Sequence, residues 1–307
     1  MGDALAAIDC GSNSTRLLIA DHDGTALRRD MHITRLSQGV DASASLTSEA
    51  MERTFDVLKK YREACNELDV TRGLLVATSA VRDAHNASTF LTRARELAGF
   101  ETTVLRGNEE AAFSYAGATR DLDEVALPTM IVDVGGGSSE LAVQVEGELK
   151  SFSMQLGCVR VTERALGRGV VTAEGERAAR TMIDVELDRA FARVPEFSLL
   201  VGNVRLIGLA GTVATLAQLD SKLTVYDRDV VHHRVLTRSV VQYWRELLSR
   251  ETPEQRLAHP GMVVGREDVL PAGLYVLDAV MGRFDVSRLL SSESDILDGI
   301  VFSLLAA

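Results

Sequence analysis

Thr129-Met130-Ile131-Val132-Asp133-Val134-Gly135-Gly136-Gly137-Ser138-Ser139-Glu140-Leu141-Ala142-Val143-Gln144-Val145 reads as an apolar strand that stops at an aspartate, a turn of glycine and serine, and a second apolar strand. The amino-terminal end repeats the pattern. There, residues 4–8 run into Asp9-Cys10-Gly11-Ser12-Asn13-Ser14, followed by a second strand over 16–20. Each copy then meets a turn, Asp23-Gly24 in one and Glu146-Gly147 in the other. A strand–turn–strand unit that recurs with its aspartate at the same offset predicts two similar halves facing each other.

Outward from these repeats, helix and strand alternate as they do in an α/β domain. Thr47 is placed to cap a helix whose apolar residues Met51, Phe55, Leu58, Tyr61, Cys65 and Leu68 fall on one face. Residues 74–77 read as a buried strand, 86–97 as a helix closed by Gly99, 102–105 as a strand and 108–118 as a helix. Beyond the second repeat, 172–193 and 238–250 read as long amphipathic helices, with a strand at 205–207 between them. At 307 residues the chain is long enough for two cores. The acidic stretch 121–128 is the expected boundary, dividing a first domain, 1–122, from a second, 123–290.

Composition narrows the function classes. Apolar residues make up 46% and charged residues 25%, which are ordinary globular values. The start, Met1-Gly2-Asp3-Ala4-Leu5, has no basic region, and the apolar stretch behind it breaks at Asp9. Neither a signal peptide nor a membrane span is expected, which places the chain in the cytoplasm. Cys10, Cys65 and Cys158 are widely spaced and read as reduced thiols rather than a zinc or redox pair. A net charge of −11 argues against a broad nucleic-acid face, so an anionic substrate needs a locally positive site. The basic residues are mostly arginine, which suits bidentate phosphate contacts. Genomic base composition produces the same bias.

The turns carry the first chemical argument. Glycine-rich turns expose successive backbone N–H groups, and adjacent Ser and Asn side chains add donors, making an anion nest. Gly11, Ser12, Asn13 and Ser14 form one such nest; Gly135, Gly136, Gly137, Ser138 and Ser139 form the other. Two nests could grip one phosphate from both sides. The plainer alternative is that these turns only close hairpins, with Asp9 and Asp133 as Asx caps. Duplication favours function, since both aspartates end strands where catalytic groups emerge in α/β folds. No GxxxxGK[ST] loop or HExxH occurs, and Glu140 spoils the near-match to a nucleophile elbow at Gly136-Gly137-Ser138-Ser139.

Four segments make a resemblance specific: Asp9 to Arg16, Thr78-Ser79-Ala80-Val81-Arg82-Asp83-Ala84, Gly107-Asn108-Glu109-Glu110-Ala111, and Asp133 to Glu140. In that order they resemble the exopolyphosphatase/guanosine pentaphosphate phosphohydrolase (Ppx/GppA) family. Gly208-Leu209-Ala210-Gly211-Thr212 and Ser294-Asp295-Ile296-Leu297-Asp298-Gly299 are similar too. The resemblance implies the actin/sugar-kinase/Hsp70 fold: α/β, with two ribonuclease-H-like domains around a central cleft and residues 291–307 packing back onto the first. It places the catalytic glutamate at Glu110, where a base orients or deprotonates water, a role worth about 10²- to 10⁴-fold. Glu109 then serves the helix start.

Asp133 and Glu140, with Asp9 and Glu110 near, offer hard oxygen ligands for Mg²⁺, with Mn²⁺ as a substitute. Arg16 and Arg82 are expected to reach phosphate oxygens as planar forks, although surface ion pairing accounts for either one equally well. Arg160 and Arg266 are weaker candidates along a longer anion. His232 and His233, if on a strand, face opposite sides, so a solvated or hydrogen-bonded role is expected rather than a paired metal site. The expected activity is Mg²⁺-dependent release of terminal orthophosphate from inorganic polyphosphate. Removal of the 5′-terminal phosphate from guanosine pentaphosphate is the alternative, and a non-hydrolytic phosphate-responsive binding protein is the reading from another class. The partner is thus the polyphosphorylated substrate, with no nucleic acid, no membrane, and a homodimer as the candidate assembly. The chain ends at Ala307 without the further helical domain of longer members, so processive degradation of very long polymers is not expected.

Overall fold

The computed structural model describes residues 4–307 except Glu124. Residues 1–3, which carry part of the expectation about the amino-terminus, and Glu124, inside the expected boundary stretch, lie outside the described residues. The chain forms two compact units, one running to Gly117 and including Asp295–Ala307, the other Ala118–Ser294. No helix among the described residues is long and apolar enough to cross a membrane.

In the first unit, β1 (Leu5–Cys10), β2 (Ser14–Ala20) and β3 (Ala26–Ile33) form an antiparallel meander. β4 (Arg72–Ala77) pairs parallel to β1, and β5 (Glu101–Val104) parallel to β4, giving the order β3-β2-β1-β4-β5. Every residue of β1 is buried, as its uninterrupted apolar run requires of a central strand covered on both faces. Side chains alternate between the two faces. Ile8, Leu17 and Leu75 pack with Phe55, Leu58, Tyr61 and Phe90, the last four from α1 (Ser48–Glu67) and α2 (Ala87–Ala98). Ala7, Leu18 and Val76 point the other way, onto Ile296, Leu297, Ile300 and Val301 of the terminal helix, Ile296–Ala306. Thr47 caps α1 by accepting from the Ala50 N–H at 3.2 Å, and Gly99 ends α2 in the left-handed region, both as the sequence predicts.

A third helix, α3 (Gly107–Thr119), touches the terminal helix backbone to backbone. A Cβ added at Gly117 would overlap the Asp295 carbonyl, and one at Gly299 would overlap the Phe113 carbonyl. Glycine at both crossing points is what allows the approach. Gly299 belongs to the carboxy-terminal motif, and α3 carries Glu110, so the motif seats the helix that bears that glutamate.

The second unit repeats the topology. β6 (Thr129–Val134), β7 (Ser139–Val145) and β8 (Glu148–Met154) form the meander, and β9 (Arg205–Leu209) pairs parallel to β6. The short edge strand β10 (Val235–Thr237) runs antiparallel to β11 (Arg288–Ser291), which is parallel to β9. The order β10-β11-β9-β6-β7-β8 is therefore the first sheet's order with one strand added. Both units are ribonuclease-H-like, and the α/β expectation holds. Helices α4 (Ala173–Arg193), α5 (Ala210–Ser221), α6 (Arg238–Ser249) and α7 (Leu270–Arg283) supply Ile183, Leu216, Trp244 and Leu274 to a core built on Met130, Val132, Leu141 and Val143.

His232 and His233 do not face opposite sides, because they are not on a strand. They follow the single-turn helix Arg228–Val231, His233 takes a φ of 58°, and the two rings stack with centroids 3.8 Å apart. The His232 Nδ1 accepts the Glu293 N–H at 3.0 Å, and its Nε2 lies 2.9 Å from Asp121 Oδ2. Asp121, His232 and His233 also place ligand atoms close enough for a metal. The N–H on Nδ1, however, puts the neutral ring's proton on Nε2, the atom a metal would need. The arrangement is a hydrogen-bonded clasp between residues 121 and 293, near the two ends of the unit.

Two outcomes follow from these contacts. Gly117→Ala and Gly299→Ala should each lower the unfolding free energy by about 1–3 kcal/mol through overpacking, measured by urea denaturation; unchanged midpoints would refute the backbone crossing. Burial, first, and the neighbouring His233 and Arg228 charges depress the His232 pKa below its usual 6.5. Its contribution to stability is then present above pH 6.5 and lost as the pH falls, because the unfolded ring takes up a proton more readily. The wild type should lose stability more steeply than His232→Gln on acidification below that value; parallel melting curves would count against the clasp.

Candidate functional site

In the first unit the site grows from the end of β1. Asp9 is 5% exposed, and burial raises its pKa while the Arg16 guanidinium opposes the shift. Asp9 and Arg16 are cross-strand partners in the β1–β2 register. Arg16 donates through Nε and Nη2 to Asp9 Oδ2, at 3.2 and 2.7 Å, and through Nη1 to Asp295 Oδ2. The other oxygen, Asp9 Oδ1, is buried and has no hydrogen-bond partner.

In the turn that follows, the carbonyls of Ser12 and Asn13 are engaged from behind. The Asn13 carbonyl accepts the N–H groups of Thr34 and Arg35 at 3.1 and 2.9 Å, and the Ser12 carbonyl accepts that of Ser37 at 2.9 Å. What the turn still offers is donors, among them the buried Asn13 Nδ2, which has no partner. That is the electrostatic requirement of an anion nest. Ser12 Oγ meets Ser79 Oγ at 2.9 Å, so the 78–84 motif is docked onto the turn. Three residues on, Arg82 donates through Nη1 to the Leu105 carbonyl at 2.7 Å and to Glu110 Oε2 at 3.3 Å. Turn, motif and glutamate thus form one connected set. Glu109 turns back instead, accepting the Arg106 N–H at 2.8 Å and the Arg106 guanidinium at 2.6 Å, a helix-start role.

The second unit builds the same object. Asp133 ends β6, and its cross-strand partner, at the place Arg16 holds in the first unit, is Glu140. Two carboxylates opposed on neighbouring strands repel each other and favour a cation between them. Glu140, 1% exposed, accepts from Ser153 Oγ on β8 at 2.7 Å. Again the carbonyls of the turn are consumed from behind. Gly135 O accepts the Cys158 N–H at 2.9 Å, and Gly136 O accepts those of Val159 and Arg160 at 2.9 and 3.2 Å. Gly157 makes this possible, since a Cβ there would overlap the Gly136 carbonyl. Ser139 Oγ donates to the Leu156 carbonyl at 2.6 Å, so its hydroxyl is engaged in holding the turn.

The Gly208–Thr212 segment joins β9 to α5 behind this turn. Thr212 Oγ1 donates to the Val134 carbonyl at 3.3 Å, and Ala210 is held at a φ of 65°, a conformation that costs a residue with a Cβ about 1–2 kcal/mol. Arg160 and Arg266 are both buried, at 9% and 8% exposure. Ser153 and Gly157 were missed in the sequence; neither sits in a patterned motif, and only the register of β8 and the return of the chain after it give them a role.

Chemically, each unit offers a strand-end carboxylate beside a turn with two carbonyls engaged from behind. Hard oxygen donors, one of them (Asp9 Oδ1) buried without a partner, fit a divalent cation such as Mg²⁺ or its bound water, and the turns fit phosphate oxygens.

Comparison with known proteins agrees with this chemistry. The chain is 37% identical to exopolyphosphatase 2 of Mycobacterium tuberculosis, over 98% of each chain. It is 27% identical to the guanosine-5′-triphosphate,3′-diphosphate pyrophosphatase of Vibrio cholerae, across 98% of this chain and 59% of that one. A solved exopolyphosphatase-like protein superposes with a TM-score of 0.92 at 31% identity, over 99% of both chains. Residues 18–307 match the Ppx/GppA phosphatase family signature, and the protein belongs to that family.

Proposed function

We propose that this phosphatase releases terminal orthophosphate from inorganic polyphosphate. The observation that supports the reading most directly is the repeated half-site: a strand-end carboxylate next to a turn in which two successive carbonyls, Ser12 and Asn13 or Gly135 and Gly136, are hydrogen-bonded from behind. Such a turn attracts a phosphate by its remaining donors. Similarity along the whole chain to a protein named exopolyphosphatase 2 points the same way.

In the mechanism we infer, the nests at Gly11–Ser14 and Gly135–Ser139 bind phosphate oxygens. Glu110, held by Arg82 at 3.3 Å, orients the attacking water and accepts its proton as the new P–O bond forms. The shortened polyphosphate leaves as an anion. In the first unit Asp9 and Glu110, and in the second Asp133 and Glu140, are the residues that would hold Mg²⁺. When bound, the metal neutralises charge on the carboxylates and on the phosphoryl oxygens. Ser153 fixes the Glu140 carboxylate by its hydrogen bond to Oε1. Arg16 and Arg82 each already hold a carboxylate, so their first task in this reading is to orient Asp9 and Glu110.

Removal of the 5′-terminal phosphate from guanosine pentaphosphate is the second reading, favoured by the Vibrio cholerae relative. The phosphoryl chemistry is identical, so phosphate release from polyphosphates of several lengths and from guanosine pentaphosphate, measured side by side, distinguishes the two. Activity on neither substrate would reject both.

Glu110→Gln should lower phosphate release by about 10²- to 10⁴-fold while substrate binding changes only a few-fold; near-normal turnover would remove Glu110 as base. Chelation of divalent cations should abolish activity. Ser153→Ala should raise the Mg²⁺ concentration needed for half-maximal rate by about 10- to 100-fold, the usual cost of losing a group that orients a metal ligand. An unchanged Mg²⁺ dependence in that variant would sever Glu140 from the metal.

A further inference from the structure

Asp9, Arg16 and Asp295 form a chain that joins the first half-site to the carboxy-terminal motif. Both bonds that Arg16 makes to Asp9 fall on Oδ2, through Nε and Nη2, and its remaining nitrogen, Nη1, donates to Asp295 Oδ2. Asp295 is fixed from its other side. Its Oδ1 accepts the Leu297 N–H at 3.0 Å as the cap of the terminal helix, and its own N–H donates to Asp298 Oδ2 at 2.9 Å. Asp298 in turn pairs with Arg29. The three linked side chains are largely buried, with 6% of Asp9, 19% of Arg16 and 10% of Asp295 exposed.

We propose that Asp295 is a positioning residue for Asp9, acting through Arg16: by anchoring Nη1 it sets the guanidinium plane, which pins Asp9 Oδ2 and leaves Oδ1 as the oxygen offered to the site. The proposal rests on the reading that Asp9 serves phosphate hydrolysis. Oδ1 has no hydrogen-bond partner although it is buried, so its direction is fixed only through the other oxygen. A guanidinium held at one end only would rotate about its side-chain torsions and carry the carboxylate with it. The helix cap gives Asp295 its own rigidity, because Oδ1 cannot leave Leu297 without uncapping the helix.

The competing explanation is that Asp295 is a helix cap and nothing more. Three substitutions separate the two. Asp295→Asn and Asp295→Ser both retain a capping oxygen, since Asn and Ser are good N-caps. Asn then turns an amide donor towards Arg16, and Ser does not reach it. Asp295→Ala loses the cap as well. With folding checked by circular dichroism, a positioning role predicts that the Asn and Ser variants lose about 10- to 100-fold in kcat/KM. It also predicts that Asp295→Asn costs little more once Asp9→Asn is present, because the two act through one path. The hindered rotation of the Arg16 guanidinium, read from its side-chain NMR resonances, should be lost in both capping variants.

If the Asn and Ser variants behave as wild type and only the Ala variant fails, Asp295 is a cap. Additive losses with Asp9→Asn overturn the proposal as well. A wild-type protein inactive on both substrates would instead reject the functional reading, and the Arg16 resonances would still decide whether Asp295 orients the guanidinium.

Discussion

A backbone turn can receive a phosphate only if its N–H groups face the anion and its carbonyl oxygens are turned away, and in both units the chain that follows the turn holds two of those carbonyls from behind. In the first, the strand after the hairpin returns so that Thr34, Arg35 and Ser37 take the carbonyls of Asn13 and Ser12. In the second, the chain returns through Gly157 so that Cys158, Val159 and Arg160 take those of Gly135 and Gly136. The third strand of each meander, β3 or β8, therefore does more than extend a sheet: it delivers the segment that removes acceptors from the turn. The groups that remain at the turn include N–H, hydroxyl and amide donors, which is the polarity an anion requires.

The two units diverge at one matched position. Opposite the strand-end aspartate stands Arg16 in the first unit and Glu140 in the second. The first pair is neutralised within the protein, leaving one oxygen of Asp9 without a partner. The second pair sets two carboxylates opposite each other, with Ser153 donating to Glu140. At the same place in the same topology, the two half-sites thus differ by one exchange of charge, arginine for glutamate.

The terminal helix gives the first half-site its rigidity. It packs on the face of the sheet formed by Ala7, Leu18 and Val76, crosses α3 through glycines at 117 and 299, and presents Asp295 to Arg16. Its motif is a set of positional demands: an acid at the cap, a glycine one turn later, and between them two apolar residues and Asp298, which accepts the cap's N–H. Replacing the terminal helix by another apolar helix would bury similar area and lose both the seat of α3 and the anchor of Arg16.

Much of this was legible in the sequence because it depends on local pattern. The repeated strand–turn–strand unit, the cap at Thr47, the stop at Gly99 and the start of α4 after Thr172 follow from alternation, helical spacing and capping chemistry. Other elements gave no such signal. β3 is a largely exposed edge strand that reads Ala-Leu-Arg-Arg-Asp-Met-His-Ile, and α7 is buried nearly all round, so neither shows an amphipathic period. The histidine pair is hydrogen-bonded as expected, but its rings stack because its geometry depends on a left-handed residue rather than on strand alternation. The chain by itself determined the duplicated α/β framework, the two turns and the acids beside them, since these are set by residue type and spacing. Only the tertiary structure decided that Arg16 is shared between Asp9 and Asp295, that Arg82 reaches Glu110, that Ser153 holds Glu140 and that Gly157 closes the second turn. Those contacts join residues distant in sequence, and their existence depends on register and on the return path of the backbone, which no local pattern encodes.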